Sequence, residues 1–120
     1  MSNANYKDGI IRAGTSLGNG TILGNIKNGI IRKGTSSSAG NGDIQGNVKG
    51  GVVRKGASSS IGNGDIIMNI KDGIVRVGSS SSLGNGDKKG SSDDYAIKGM
   101  ERELDADMVA TYHFLVKKIV

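Results

Sequence analysis

The stretch "KNGIIRKGTSSSAGNGDIQGNV", residues 27–48, runs directly into "KGGVVRKGASSSIGNGDIIMNI", residues 49–70. The same start returns as "KDGIIRAG" from Lys7 and "KDGIVRVG" from Lys71, so the four starts lie 20, 22 and 22 residues apart. Each unit continues with a serine-rich piece and a "GNG". It closes on an asparagine and an aliphatic residue: Asn25-Ile26, Asn47-Val48 and Asn69-Ile70, with Asn5-Tyr6 opening the chain in that register. A shortened fifth start, "YAIKGM", occupies residues 95–100. Units of this length cannot bury an apolar face alone and are stable only when stacked or arranged around a centre.

Turn chemistry divides each unit. Asp8-Gly9, Asn28-Gly29, Gly50-Gly51 and Asp72-Gly73 each separate two short β-prone runs. Such pairs suit a two-residue type I′ hairpin, in which both turn residues need positive φ. A second set, Asn19-Gly20, Asn41-Gly42, Asn63-Gly64 and Asn85-Gly86, falls between them. The expected result is an antiparallel meander of short strands over residues 4 to about 90. The two additional serines of the later units form a bulge or small protruding loop, since loop closure costs little more with length. Around Asn28-Gly29, Ile26 faces Ile31 and Lys27 faces Ile30. Strand alternation then puts Ile26 and Ile31 on one face, and Lys27, Ile30 and Arg32 on the other. The repeated core set is Tyr6/Ile11, Ile26/Ile31, Val48/Val53 and Ile70/Val75.

That core is thin, and the chain's end supplies bulk. In "MERELDADMVATYHFLVKKIV", Met100, Leu104, Met108, Tyr112, Leu115 and Ile119 recur at helical steps. Acidic residues lie early and Lys117-Lys118 late, as a helix dipole favours. The pattern predicts a helix over about 100–118, apolar nearly all round in its second half and therefore buried all round, with the hairpins surrounding or cupping it.

The recurring "DGIIR" (8–12) and "DGIVR" (72–76), followed by "IKGMEREL…VATYHFL", resemble the five-fold β-flower proteins, which have four-fold relatives. The resemblance implies a mainly β fold of radially arranged antiparallel hairpins, with one C-terminal helix in or against the centre, as a single domain over residues 1–120. Its repeats are expected at about 5–26, 27–48, 49–70 and 71–92, with a remnant at 95–99. It implies no enzymatic activity.

Composition narrows function by exclusion. There are 21 glycines, no cysteine and four aromatic residues in 120. Without cysteine there is no disulfide, thiolate nucleophile or cysteine zinc site. A lone His113 in an apolar helix reads as a packed or surface histidine. "GNGD" at 40–43, 62–65 and 84–87 superficially matches a calcium-binding nonapeptide, but the period is wrong and Thr21 replaces the first aspartate; turn formation is the simpler account. No cofactor is expected. No run is long enough to span a membrane, and the N-terminus lacks the basic and apolar regions of a signal peptide, so a cytoplasmic location is the default expectation. The expected role is a non-enzymatic structural or interaction module with a macromolecular partner. The alternative is binding of a polyanion, nucleic acid or acidic glycan. Its contacts would be Lys27, Arg32, Lys49, Arg54, Lys71 and Arg76, joined by Lys7 and Arg12 of the first unit. The serine tracts at 36–38, 58–60 and 79–82 are either recognition loops or spacers.

Overall fold

A computed structural model describes residues 4–120. Its strands are β1 (Ala4–Lys7), β2 (Ile10–Ala13), β3 (Ile22–Lys27), β4 (Ile30–Lys33), β5 (Asp43–Lys49), β6 (Val52–Lys55), β7 (Asp65–Lys71), β8 (Ile74–Val77) and β9 (Asp87–Ser91). They form one antiparallel sheet in chain order, which is the expected meander. Asn28 and Gly29 have φ of 54° and 79°, and the other three tips match them, as a type I′ turn requires. The registers pair Tyr6 with Ile11, Ile26 with Ile31, Val48 with Val53 and Ile70 with Val75. Ile11, Ile31, Val53 and Val75 are wholly buried. Each contributes roughly 1.5–3 kcal/mol.

The hairpins are joined around a centre by their tips. Ile26, Val48, Ile70 and Ser92 each donate a backbone N–H to the tip carbonyl of the preceding unit, at Gly9, Gly29, Gly51 and Gly73, over 2.8–3.0 Å. The fifth start completes the circuit without forming a hairpin. Residues Ser92–Tyr95 make a 3₁₀ turn, and Lys98 then accepts the N–H of Tyr6 at 2.7 Å in a parallel bridge to Asn5. Residues 97–99 thus carry the end of the sheet back to its first strand. The loops repeat the circuit outside: Leu17, Ala39, Ile61 and Leu83 lie over Gly99, Gly9, Gly29 and Gly51 respectively.

A second interaction fixes each loop to the sheet. Asn25, Asn47 and Asn69 point to the outer face, opposite Arg32, Arg54 and Arg76, yet are 1 % exposed or less. Asn47 Nδ2 donates to the carbonyl of Asn63 at 2.7 Å, and its Oδ1 accepts the N–H of Gly62 at 3.0 Å. Asn25 clamps Asn41 and Gly40 in the same way, and Asn69 clamps Asn85 and Gly84. Asn5 holds Asn19 and Gly18, and also donates to Gly14. The serine tracts are ordered by the same logic: the N–H groups of Ser38, Ser60 and Ser82 donate to Ser36, Ser58 and Ser80 Oγ. The added serines therefore lie in loops folded back over the outer face. The bulges lie elsewhere, one per unit, where β2, β4, β6 and β8 meet the next strand.

The C-terminal segment fills the inner face. Helix α1 covers Asp105–Thr111 and runs into a π-helical turn at Tyr112–Val116. It is shorter than the 100–118 expected: Met100 is buried before the helix begins, and Leu104, on the expected stripe, is 72 % exposed at its N-cap. Burial all round is also not realised. Val109 and Ala110 are fully buried, Phe114, Leu115 and Val116 are half-buried, and Val120 is 53 % exposed. The sheet cups the helix from one side, with α1 against β5–β7 and the π turn against β3 and β4.

The fit is visible in one position that recurs along the sheet. Registers align Ala4, Gly24, Gly46 and Met68 in successive units. A methyl group at Gly24 or Gly46 would meet first the carbonyl of Arg32 or Arg54 on the paired strand and then the helical segment, at Leu115 Cδ2 (2.8 Å) or the Phe114 ring. The glycines are the sites where the helical segment presses on the sheet, and Met68 fills space itself. We expect Gly46→Ala to cost about 1–3 kcal/mol through overpacking against the Arg54 carbonyl and the Phe114 ring, with only the ring's part of that cost relieved in a Phe114→Ala background, as read by denaturant unfolding. Asn47→Ala is expected to cost a further effect of its own, about 1–3 kcal/mol, because Gly62 N–H and the Asn63 carbonyl lose their partner. The same measurement on Asn63→Ala, whose side chain is exposed and whose carbonyl is retained, should change little.

Candidate functional site

The outer face carries the repeated cations. Lys27, Lys49 and Lys71 are exposed beside the tips, and Arg32, Arg54 and Arg76 are half-buried further down the returning strands. Cross-strand pairing puts Lys27 opposite Ile30, and Arg32 opposite Asn25, so both cations share the outer face as the alternation predicted. The lysine stems lie along the loops: a methyl group at Gly40 would be 3.4 Å from Lys27 Cδ, and Lys7 takes the same position against Gly18. Corresponding lysines on β3 and β5 are two strands apart, about 10 Å. That is close to a Debye length at physiological salt, so their fields overlap.

Acidic residues divide this face unevenly. The tip residue after each lysine is Asp8, Asn28, Gly50 and Asp72 in turn. The second and third units therefore have no carboxylate at the tip, and Lys27, Arg32, Lys49 and Arg54 are the least compensated set. Lys33 and Lys55, by contrast, lie on the other face of their strands, opposite Asp43 and Asp65. At the sheet's end Lys88 occupies the position held by Ile22, Ile44 and Ile66, and faces Arg76. This like-charged pair extends the basic surface beyond the residues expected from the repeats. The described aromatic side chains pack on the opposite, helix-bearing side: Tyr6, Tyr95, Tyr112 and Phe114 all border the core.

Several clefts border the repeats, among them one of about 190 Å³ on the helix-bearing side, lined by Lys55, His113, Phe114 and Lys118. A cavity of about 530 Å³ beside the first loop is lined by Ile97, Met100 and Met108 with Asp93, Glu101 and Asp105 at its polar margin. Lys98 also lines it, but its Nζ donates to the Thr15 carbonyl at 2.9 Å, and three carboxylates against this one cation make the cavity unsuited to an anion. Another cleft, of about 250 Å³, lies on the outer face of the first unit, among Lys7, Asp8, Ile10, Arg12, Gly18 and Ser37. Asp8 belongs to the first hairpin turn and Ser37 to the serine tract that was open as a recognition loop or spacer; they meet only because the second loop folds across the first hairpin.

His113 is the packed histidine that the sequence allowed, 6 % exposed. Its Nδ1 accepts the N–H of Ile119 at 2.9 Å, so the neutral ring carries its proton on Nε2. Its ring stands edge-on to Phe114 at 4.8 Å. Among the described residues no group of three or more His, Asp or Glu side chains is placed to hold a metal ion. The "GNGD" aspartates open strands β5, β7 and β9, and the preceding Asn-Gly turns are occupied with the buried asparagines.

Burial, then Lys118 and Lys55, hold the His113 pKa below the ordinary histidine value. The unfolded chain therefore takes up this proton before the folded one does. The stabilisation is complete above the ordinary value of about 6.5 and is lost as pH falls through the depressed folded value. Thermal unfolding across this range should show falling stability in the native chain and a flatter profile in His113→Asn. Asp107 opposes this, because burial and then Glu103 raise its pKa; its charged form costs stability near neutrality, and the cost is relieved as pH falls.

No helix among the described residues is long and apolar enough to cross a membrane. No curated protein and no solved structure matches the chain. Residues 3–86, more than half of the sequence, match the family described as six-fold beta flower protein. The match takes in β1 to β8 and the fourth loop; among the described residues the hairpin tips number four, at Gly9, Gly29, Gly51 and Gly73, and the shortened fifth start at residues 97–99 makes a parallel bridge instead. The sequence resemblance was to the five-fold group; the repeated hairpins, their radial tip-to-strand bonds and this match place the chain in the six-fold beta flower family.

Proposed function

We propose that the chain is a non-enzymatic interaction module, and that its outer face engages an acidic polymer. The observation that carries this reading is the repetition of one lysine and one arginine, on the same face, from unit to unit. The uncompensated set at Lys27, Arg32, Lys49 and Arg54 lies where neighbouring fields reinforce one another. A fold that repeats a surface about every 10 Å suits a partner that also repeats, because several weak contacts then act together.

The bland alternative is that these cations only keep a glycine-rich sheet soluble and protect its edges. All four repeated arginines, Arg12, Arg32, Arg54 and Arg76, lie on interior strands β2, β4, β6 and β8, which already have partners on both sides, so edge protection does not account for them. The support for a non-enzymatic role is the engagement of His113 with Ile119 and the use of the loop asparagines in holding the fold.

Retention on a heparin matrix, measured against salt, tests the proposal. The native chain should be retained at low salt. Arg32→Gln with Arg54→Gln should elute earlier and lower the slope of log affinity against log salt by about 2, one for each lost contact. A native chain that passes through unretained at low salt rejects the polymer; concentration-dependent self-association in the same experiment would support a purely structural module.

A further inference from the structure

The cleft on the first unit differs from the rest of the outer face, and the difference has a cause in the sequence. The first loop reads "GTSLG" at residues 14–18, where the second reads "GTSSSAG" at 34–40. The first is shorter by two serines. Asn5 still clamps it, through Gly18 N–H and the Asn19 carbonyl. The short loop therefore lies close against its hairpin, while the longer second loop stands beside it. The turn from Ser38 N–H to Ser36 Oγ, 3.1 Å, sets Ser37 at the crest of that second loop. Between the two loops lies the cleft of about 250 Å³.

We infer that this cleft binds one acidic sugar residue, bearing a carboxylate or sulfate, of an anionic glycan. The inference rests on the outer-face reading above and deepens it by naming the partner and its point of attachment. Lys7 and Arg12 line the cleft and supply the cations for the acidic group; a guanidinium matches the two oxygens of a carboxylate or sulfate. Asp8 and Ser37 line it too, and they suit hydroxyl groups: the carboxylate accepts from them, and the serine both donates and accepts. Gly18 forms a wall without offering its N–H, which Asn5 holds. The volume is below that of a typical drug-sized pocket, about 300–1,000 Å³, and suits a single ring.

The combination discriminates between polymers. A carboxylate beside the cations repels a uniformly charged phosphodiester strand but serves a ligand that alternates acidic groups with hydroxyls. The aromatic side chains lie on the other side of the sheet, so this face has no platform on which bases would stack. The second unit carries Asn28 where the first carries Asp8, and the third carries Gly50. The hydroxyl-accepting carboxylate is therefore missing from the second and third units; the fourth carries Asp72, but its own loop has the longer serine tract, and the cleft that joins such a carboxylate to Ser37 lies at the first unit.

The test is titration of the ¹⁵N-labelled full chain with glucuronate, glucose 6-sulfate, glucose and a short single-stranded oligodeoxynucleotide. Glucuronate or glucose 6-sulfate should shift the amides of Lys7, Gly18 and Ser37, and glucose at the same concentration should not. Arg12→Gln should weaken this response about tenfold or more, as expected for losing a charge-assisted contact. Inserting Ser-Ser after Ser16 gives the first loop the pattern of the second and should remove the response while thermal unfolding remains cooperative. Equal shifts with glucose, stronger saturable binding of the oligonucleotide at these amides, or an undiminished response in Arg12→Gln would each overturn the inference. Heparin retention separates binding by the outer face as a whole from binding at this cleft. Retention lost in Arg32→Gln/Arg54→Gln but with no acidic-sugar response at the cleft overturns this site and leaves the outer-face reading standing. No retention of the native chain, with no response at the cleft, overturns both.

Discussion

A buried asparagine side chain in each unit governs this structure. Folding a glycine-rich loop back onto a sheet leaves loop amides and carbonyls without partners, and each unpaired buried group costs about 1–3 kcal/mol. The primary amide is suited to the problem because it donates and accepts at once. Asn25, Asn47 and Asn69 each accept from a loop glycine and donate to the next residue's carbonyl. The glycine on either side of each loop asparagine follows from the same geometry: Gly62 and Gly64 have φ of 92° and 111°, a region that L side chains rarely adopt. One hydrogen-bonding requirement thus explains the asparagine, the "GNG" and their fixed separation.

The clamped loops cover the outer face, which leaves the inner face to the C-terminal segment. The two sides are solved by different physics. Outside, polar groups are satisfied one by one. Inside, volumes must match, and Gly24 and Gly46 give way to Leu115 and Phe114 where the segment is bulky. The π turn from Tyr112 to Val116 brings Lys117 N–H to the Tyr112 carbonyl at 2.9 Å, and Ile119 then reaches the His113 ring. The tail is therefore turned back on the helix, with Ile119 buried, instead of continuing the helical stripe.

Much of this was legible in the residues. The tip dipeptides determined the hairpins, and strand alternation then put Ile31 inside and Arg32 outside. The asparagines repeat just as regularly, but their role is not visible locally: Asn47 bonds to residues 15 and 16 positions away, across a turn and a returning strand. The helix was overextended because Leu104 fits the period, while the packing that decides its burial comes from strands distant in sequence. Positions 24, 46 and 68 differ from unit to unit with no local signal of why; the reason lies in the helical segment packed against them. The candidate cations were recoverable from repetition alone, and the serine tract that holds Ser37 was visible as a candidate loop; Lys88 and the meeting of Asp8 with Ser37 were not, since each gains its meaning from a neighbour brought in by the fold.

A radially repeated scaffold can keep its tips, clamps and core constant and vary what its loops display. Here a difference of two residues in loop length and a change from Asp8 to Asn28 distinguish otherwise equivalent units. The stability of the display depends on the asparagine clamp, and amide hydrogen exchange tests that dependence most directly. In the native chain, Gly40, Gly62 and Gly84 should exchange slowly for surface-loop amides, at rates nearer to those of the strand amides than to that of the exposed Ser59. In Asn47→Ala, Gly62 should lose this protection first, while Gly40 and Gly84 keep more of theirs. If Gly62 exchanges as fast as Ser59 in the native chain, the loop is not held by the buried asparagine and the account of the fold is wrong.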